Sequence, residues 1–276
     1  MASEINQDPY LNLALRELVG NGFGGDWNIE RKAKTLNKFG RNTAIGTSRA
    51  LLWENGPAFE TLRDIDSNVL DTFSSSDAGD VGQTVAIEGH YGDGSSNLVF
   101  VRQTIVSNGR NKVTLGTPLS RCSRMQVLTG TTVAAGDMWV YEDTALTNGV
   151  PTDLTKTANV IKGTDGELQS FKAQTSVSGL DALIVTRGQV SIAKKTSGAA
   201  DVRLEVRAPN ADFFLPVTGL VSLNTTGTTT IIVPLMPYAV VPPNSDIRVV
   251  AVGSTANLQV AGTFSGVLAD RSAIPS

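Results

Sequence analysis

The chain has 276 residues, of which 41% are hydrophobic and only 18% charged, with a formal net charge of −3. That length carries one large β domain or two small ones, each with a real core. The slightly acidic balance supplies no global field for nucleic acid, the single cysteine, Cys122, excludes an internal disulfide, and no apolar run reaches the length of a membrane span.

The first ten residues, MASEINQDPY, lack the basic and apolar regions of a signal peptide, so secretion by the general route is not expected. Residues 8–18 read as a short helix. Asp8 is an N-cap, Pro9 takes the first helical position, and Leu11, Leu15 and Leu18 share a face. The following stretch to Gly46 changes character. It holds isolated aromatics (Phe23, Trp27, Phe39) and a basic cluster (Arg31, Lys32, Lys34, Lys38, Arg41) without a sustained period. We read residues 1–48 as an N-terminal arm that orders on a partner.

From residue 49 the chain becomes β-rich, and a first β domain is expected over 49–143. SRALLWENG opens it. VGQTVAIEGHY and NLVFVRQTIV, separated by GDGSSN, make a hairpin. NKVTLGTPLSRCSRMQVLTG and AAGDMWVYED add further strands. Residues 144–166, rich in Thr, Asn, Gly and Asp, read as a linker. A second β-sandwich domain is expected over 167–276, with the turn Pro242-Pro243-Asn244 near its end. In KKTSGAADVRLEVRAP, Val202, Leu204 and Val206 alternate with Arg203, Glu205 and Arg207, which predicts a strand with a dry face and a wet one. Short alternating strands between turn clusters predict an all-β fold, an antiparallel sandwich or jelly roll in two units behind the arm.

Groups for chemistry are sparse. The one histidine, His90, lies beside the hairpin turn, where an exposed polar role is the ordinary one. Cys122, between Arg121 and Arg124, reads as a small strand residue. One histidine and one cysteine cannot make a conventional zinc site. Asp77 with Asp80, and Asp165 with Glu167, are the only acidic pairs worth weighing for calcium, and both read better as turns. No phosphate-binding loop occurs. Trp53 and Trp139 read as core anchors. The expectation is therefore no catalytic residue, no metal and no cofactor. The basic stretch Arg31–Arg41 could stack and pair with nucleic acid, but docking on an acidic protein surface and a solvated amphipathic turn together outweigh that reading in an otherwise acidic chain.

The order of segments TVAIEGHY, VFVRQTI, RCSRMQV, KKTSGAADVRLEVR and PPNSDIRVVA resembles a set of β-rich structural proteins of tailed bacteriophages, especially marine ones. Their corresponding patterns are "TVTIEGLDxxY", "RINRxxV", "KKSGAxADVRLRVR" and "PxxSDIEVRA". The resemblance spans about residues 60–270. His90-Tyr91 replaces the usual continuation after "EG", and Cys122 stands where an aliphatic residue is usual. The resemblance implies a virion component assembled in the host cytoplasm, with no enzymatic role, no nucleic acid and no membrane. On that reading it is a capsid decoration or cement protein. Its partners are the major capsid protein and further copies of itself, as a homo-oligomer such as a trimer. The arm would supply the capsid contacts through Phe23, Trp27, Arg31, Lys32, Lys34, Lys38, Phe39 and Arg41. The alternative is a tail, collar or fibre protein that binds host glycans, with Phe213, Phe214 and Tyr238 as its aromatic candidates. An enzyme would need acidic pairs assembled by folding.

Overall fold

The computed structural model describes residues 33–270 except 55–61, 130–134, 194–197, 210, 218–220 and 226–227. The expected helix at 8–18 lies outside the described residues. Within them the protein is all-β and antiparallel, with two single-turn 3-10 segments, Leu154–Lys156 and Gly163–Asp165. In chain order the strands are β1 (Ala33–Ile45), β2 (Ala50–Leu51), β3 (Leu70–Ser75), β4 (Val81–Gly92), β5 (Leu98–Asn108), β6 (Val113–Leu119) and β7 (Arg121–Thr129). There follow β8 (Met138–Glu142), β9 (Leu146–Thr147), β10 (Val150–Pro151), β11 (Thr157–Ile161), β12 (Gln174–Ser176) and β13 (Asp181–Ala193). The last six are β14 (Gly198–Arg207), β15 (Leu215–Pro216), β16 (Val221–Thr225), β17 (Thr228–Val241), β18 (Asp246–Gly253) and β19 (Leu258–Asp270).

Two sheets enclose the larger core. One runs β1-β19-β13-β17; the other runs β12-β18-β14-β15, with β16 also on β14 and β2 on β18. The alternation read in β14 places Val202, Leu204 and Val206 in that core. They meet Ile247, Val249 and Ala251 of β18, and Leu183, Val185, Ile192, Val260 and Phe264 of the facing sheet. Pro234 and Pro237 lie in β17, an edge strand of its sheet, where a missing N–H leaves the interior ladder intact.

A second pair of sheets, β11-β8-β3-β6 and β5-β4-β7, encloses Leu70, Phe73, Val85, Ile87, Leu119, Met125, Met138, Val140 and Ile161. The β4–β5 hairpin forms as the sequence predicts, with His90 opposite Phe100. Trp139 is buried in a small third cluster with Tyr141 and Val160.

The structure moves three boundaries. Residues 33–45, expected in the arm, are β1, which pairs with β19 along nearly its whole length. Gly40 seats it: a Cβ there would lie 2.0 Å from the Leu52 carbonyl oxygen and 2.3 Å from the Ala173 nitrogen. Residues 50 and 51, expected in the first domain, pair with β18 in the other unit. The expected linker holds the β9–β10 pair and β11, all five residues of which are buried, because Ala158 and Ile161 enter one cluster and Val160 the other. The unit around the second core is thus inserted between β2 and β12 of the first.

Candidate functional site

The two units meet along β7, and the junction is polar. Arg121, 2% exposed, directs Nε to Asp246 Oδ1 at 2.9 Å, and Arg207 donates to Asp246 Oδ2 at 2.6 and 3.0 Å. Ser176 adds a third donor to the same carboxylate. Burial alone would raise the Asp246 pKa; the two guanidiniums and the hydroxyl overcome it and hold the carboxyl below its usual value. At the far end of the junction, Asn244 takes a left-handed φ of 58° and accepts from the Leu98 N–H at 2.8 Å. The turn after Pro243 is thereby docked on the tip of the β4–β5 hairpin.

Between these contacts the junction opens into a cleft of about 390 Å³, walled by β1, β4, β5, β7, β12 and Leu268 of β19. One of its walls, β7, carries a bulge. Glu88 faces Arg124 and Gly89 faces Cys122, so Ser123 is the extra residue. Its carbonyl accepts a hydrogen bond from Lys38 Nζ at 2.5 Å. Beyond Lys38 lies His90, 4% exposed, whose Nδ1 is buried without a hydrogen-bond partner and whose ring meets Phe100 edge-on at 5.5 Å. Lys34, Leu36, Glu88, Arg124 and Asp181 complete the working lining.

Burial lowers the Lys38 pKa to about 7, and repulsion from Lys172 adds to this, while Glu88 opposes it. Burial likewise lowers His90 to about 4, with Asp246 opposing, so the imidazole is neutral at physiological pH. The folded Lys38 binds its proton more weakly than the unfolded chain does. Its charge therefore weighs fully against folding below pH 7, and stability rises with pH from there toward the unfolded lysine value. Between pH 7 and 9 the wild type should gain about 2 kcal/mol relative to a Lys38→Met variant. Paired urea titrations at the two pH values measure this gain; parallel curves would show that Lys38 stays charged.

The expected capsid contacts fare unevenly. Phe23, Trp27, Arg31 and Lys32 lie outside the described residues. Lys34 is exposed on the cleft rim. Lys38 is 8% exposed and turned inward, so it is a cleft residue and not an outer contact. Phe39 packs on Phe171 with ring centroids 5.0 Å apart. Arg41 is held by Glu54 and Glu167. These three are engaged internally because β1 is part of a sheet.

Other readings also change. His90 is buried, because the face of β4 it occupies borders the unit built around the larger core. Glu205, expected on a wet face, is 1% exposed and takes ion pairs from Arg49, Arg203 and Arg248 at 3.1, 3.4 and 3.0 Å. Phe214 lies against the Arg248 guanidinium at 3.5 Å, whereas Phe213 is exposed. Asp80 spends its oxygens on Ser75 and on the Ala135 and Gly136 N–H groups. Trp53 is buried, as expected, whereas Cys122, expected half-buried between solvent-facing neighbours, is 1% exposed and its neighbours Arg121 and Ser123 are buried with it. Lysine at 38 and histidine at 90 carried no sequence signal that they would share a cleft, because they lie on strands of different units.

No family model matches the chain, and no curated protein matches it. Among solved structures, it is similar to the VP2 subviral particle of infectious bursal disease virus, with 14% identity, 95% of this chain and 79% of that chain covered, and a TM-score of 0.28. T=1 particles derived from the same virus match with 14% identity, coverage of 95% and 76%, and a TM-score of 0.25. The Gt strain of that virus matches with 12% identity, coverage of 96% and 83%, and a TM-score of 0.23. Scores of this size bear on neither function nor partner.

Proposed function

We propose that the chain is a structural component of a tailed bacteriophage virion, seated on the head shell as a decoration protein. In this reading it works without catalysis, is assembled in the host cytoplasm, and binds the major capsid protein and further copies of itself. One observation carries the resemblance on which the proposal rests. The segments that carry it are neighbours in space: β5-β4-β7 in one sheet, β14-β18 in another, joined by Arg121 and Asp246.

A shell repeats one site many times, so modest contacts add through avidity. The outer contacts in this reading are residues 1–32, with Phe23 and Trp27 as anchors and Arg31 and Lys32 as charge partners. Quantitative mass spectrometry of purified virions tests the role. Copies in a simple ratio to the major capsid protein are expected. A handful of copies would place the chain in the tail, collar or fibre, and complete absence would end the virion reading. Removal of residues 1–32 should abolish shell binding and leave thermal unfolding unchanged; undiminished binding would show that the β surface makes the contact.

A further inference from the structure

We propose that the cleft between β1 and the β4–β5 hairpin is a binding site for a small organic monocarboxylate, held by Lys38 and His90. The inference is independent of the virion role. Buried polar groups in folded proteins nearly always have partners, yet Nδ1 of His90, on a side chain 4% exposed, has none, and the residue borders an open cleft. Lys38 stands in the same cleft with a single carbonyl acceptor and, among the described residues, no carboxylate within ion-pair distance. An ammonium has three donors. The site therefore offers unspent hydrogen-bonding capacity on two buried side chains.

The walls select the ligand. Leu36, Leu268 and Phe100 supply apolar surface for an organic body, and about 390 Å³ suits a small molecule. A single buried cation favours one negative charge. Glu88 and Asp181 in the lining oppose a second, which argues against phosphate and other dianions. Arg124 is turned to Gln126 and Gln169, Glu88 toward Arg102, and the Asp246 and Arg121 charges behind His90 satisfy each other. Lys34 sits exposed on the rim beside Asp181, and Lys172 spends its donors on the Cys122 and Ala158 carbonyls. An amine poised near neutrality takes up its proton when an anion arrives.

His90 is the sole histidine, so its imidazole signals need no assignment. Benzoate titrated into the full chain should shift those nitrogen-correlated signals in a saturable way, with a dissociation constant of about 1 mM or tighter. Benzamide, the same ring without the charge, should leave them in place. Lys38→Met should weaken benzoate about tenfold or more, the size of one charge-assisted bond. The benzoate and benzamide contrast is read in the unaltered chain, so it stands even where the variant fails to fold. No saturable shift with benzoate, an equal response to benzamide, or unchanged affinity in folded Lys38→Met would overturn the site.

Discussion

Asp246→Ala should destabilise the protein by about 3–5 kcal/mol, because it strips the shared partner from two guanidiniums and leaves Arg121 charged and buried. The cost is in the orphaned cation more than in the lost attraction. Taking Arg121 out of water is expensive, and only the carboxylate of Asp246 offsets it in full. Two controls separate these effects. Asp246→Asn keeps the shape and loses the charge, so it should fall nearly as far. Arg121→Met combined with Asp246→Ala should recover part of the loss, since Arg121 no longer needs a partner. Denaturant midpoints with unchanged slopes measure all three. If the single and double variants are equally unstable, the pair is not coupled as the geometry requires.

The same carboxylate sets an acid limit. Its folded pKa is depressed, so its contribution is complete above the unfolded value of about 4 and disappears as pH falls through the lower folded value. The wild type should therefore lose stability below about pH 4, and Asp246→Asn should lack that part of the slope.

Gly40→Val should cost about 3 kcal/mol or more, the upper end for overpacking a rigid site. The obstacle is backbone. The Ala173 N–H donates to the Leu52 carbonyl at 2.9 Å, and Gly40 lies over that bond. A side chain at 40 must push β1 off, and with it Asn42, which donates to the Leu51 carbonyl, and Lys38, which donates to Ser123. Gly46→Ala is the control, for a Cβ at Gly46 meets nothing within 4 Å. It should change stability by under about 0.5 kcal/mol. Equal effects at the two glycines would mean that β1 does not pack as described.

Several elements were legible in the order of residues. Val85 and Ile87 alternating before GDGSSN marked a hairpin, and β4 and β5 pair as read. The alternation of Val202, Leu204 and Val206 marked an inward face, and all three are buried. Pro-Pro-Asn marked the turn into β18. In TANVI the turn-forming neighbours masked a strand that is buried on both faces. In the stretch around Gly40, charge and glycine suggested an arm where the fold places a strand.

The sequence alone therefore determined the class: all-β, antiparallel, with no set of groups for conventional zinc chemistry or a phosphate loop. Alternation and turn chemistry are local properties of the backbone, and they survive in any tertiary setting. What covers each outer face was decided only in three dimensions. Lys38 is buried against a carbonyl 85 residues away, and Arg121 meets Asp246 across 125 residues. A polar residue on an alternating strand reads as solvent-facing until another sheet is laid over it. The folding of one β unit into the other laid that cover here, and in doing so it made the cleft that holds Lys38 and His90.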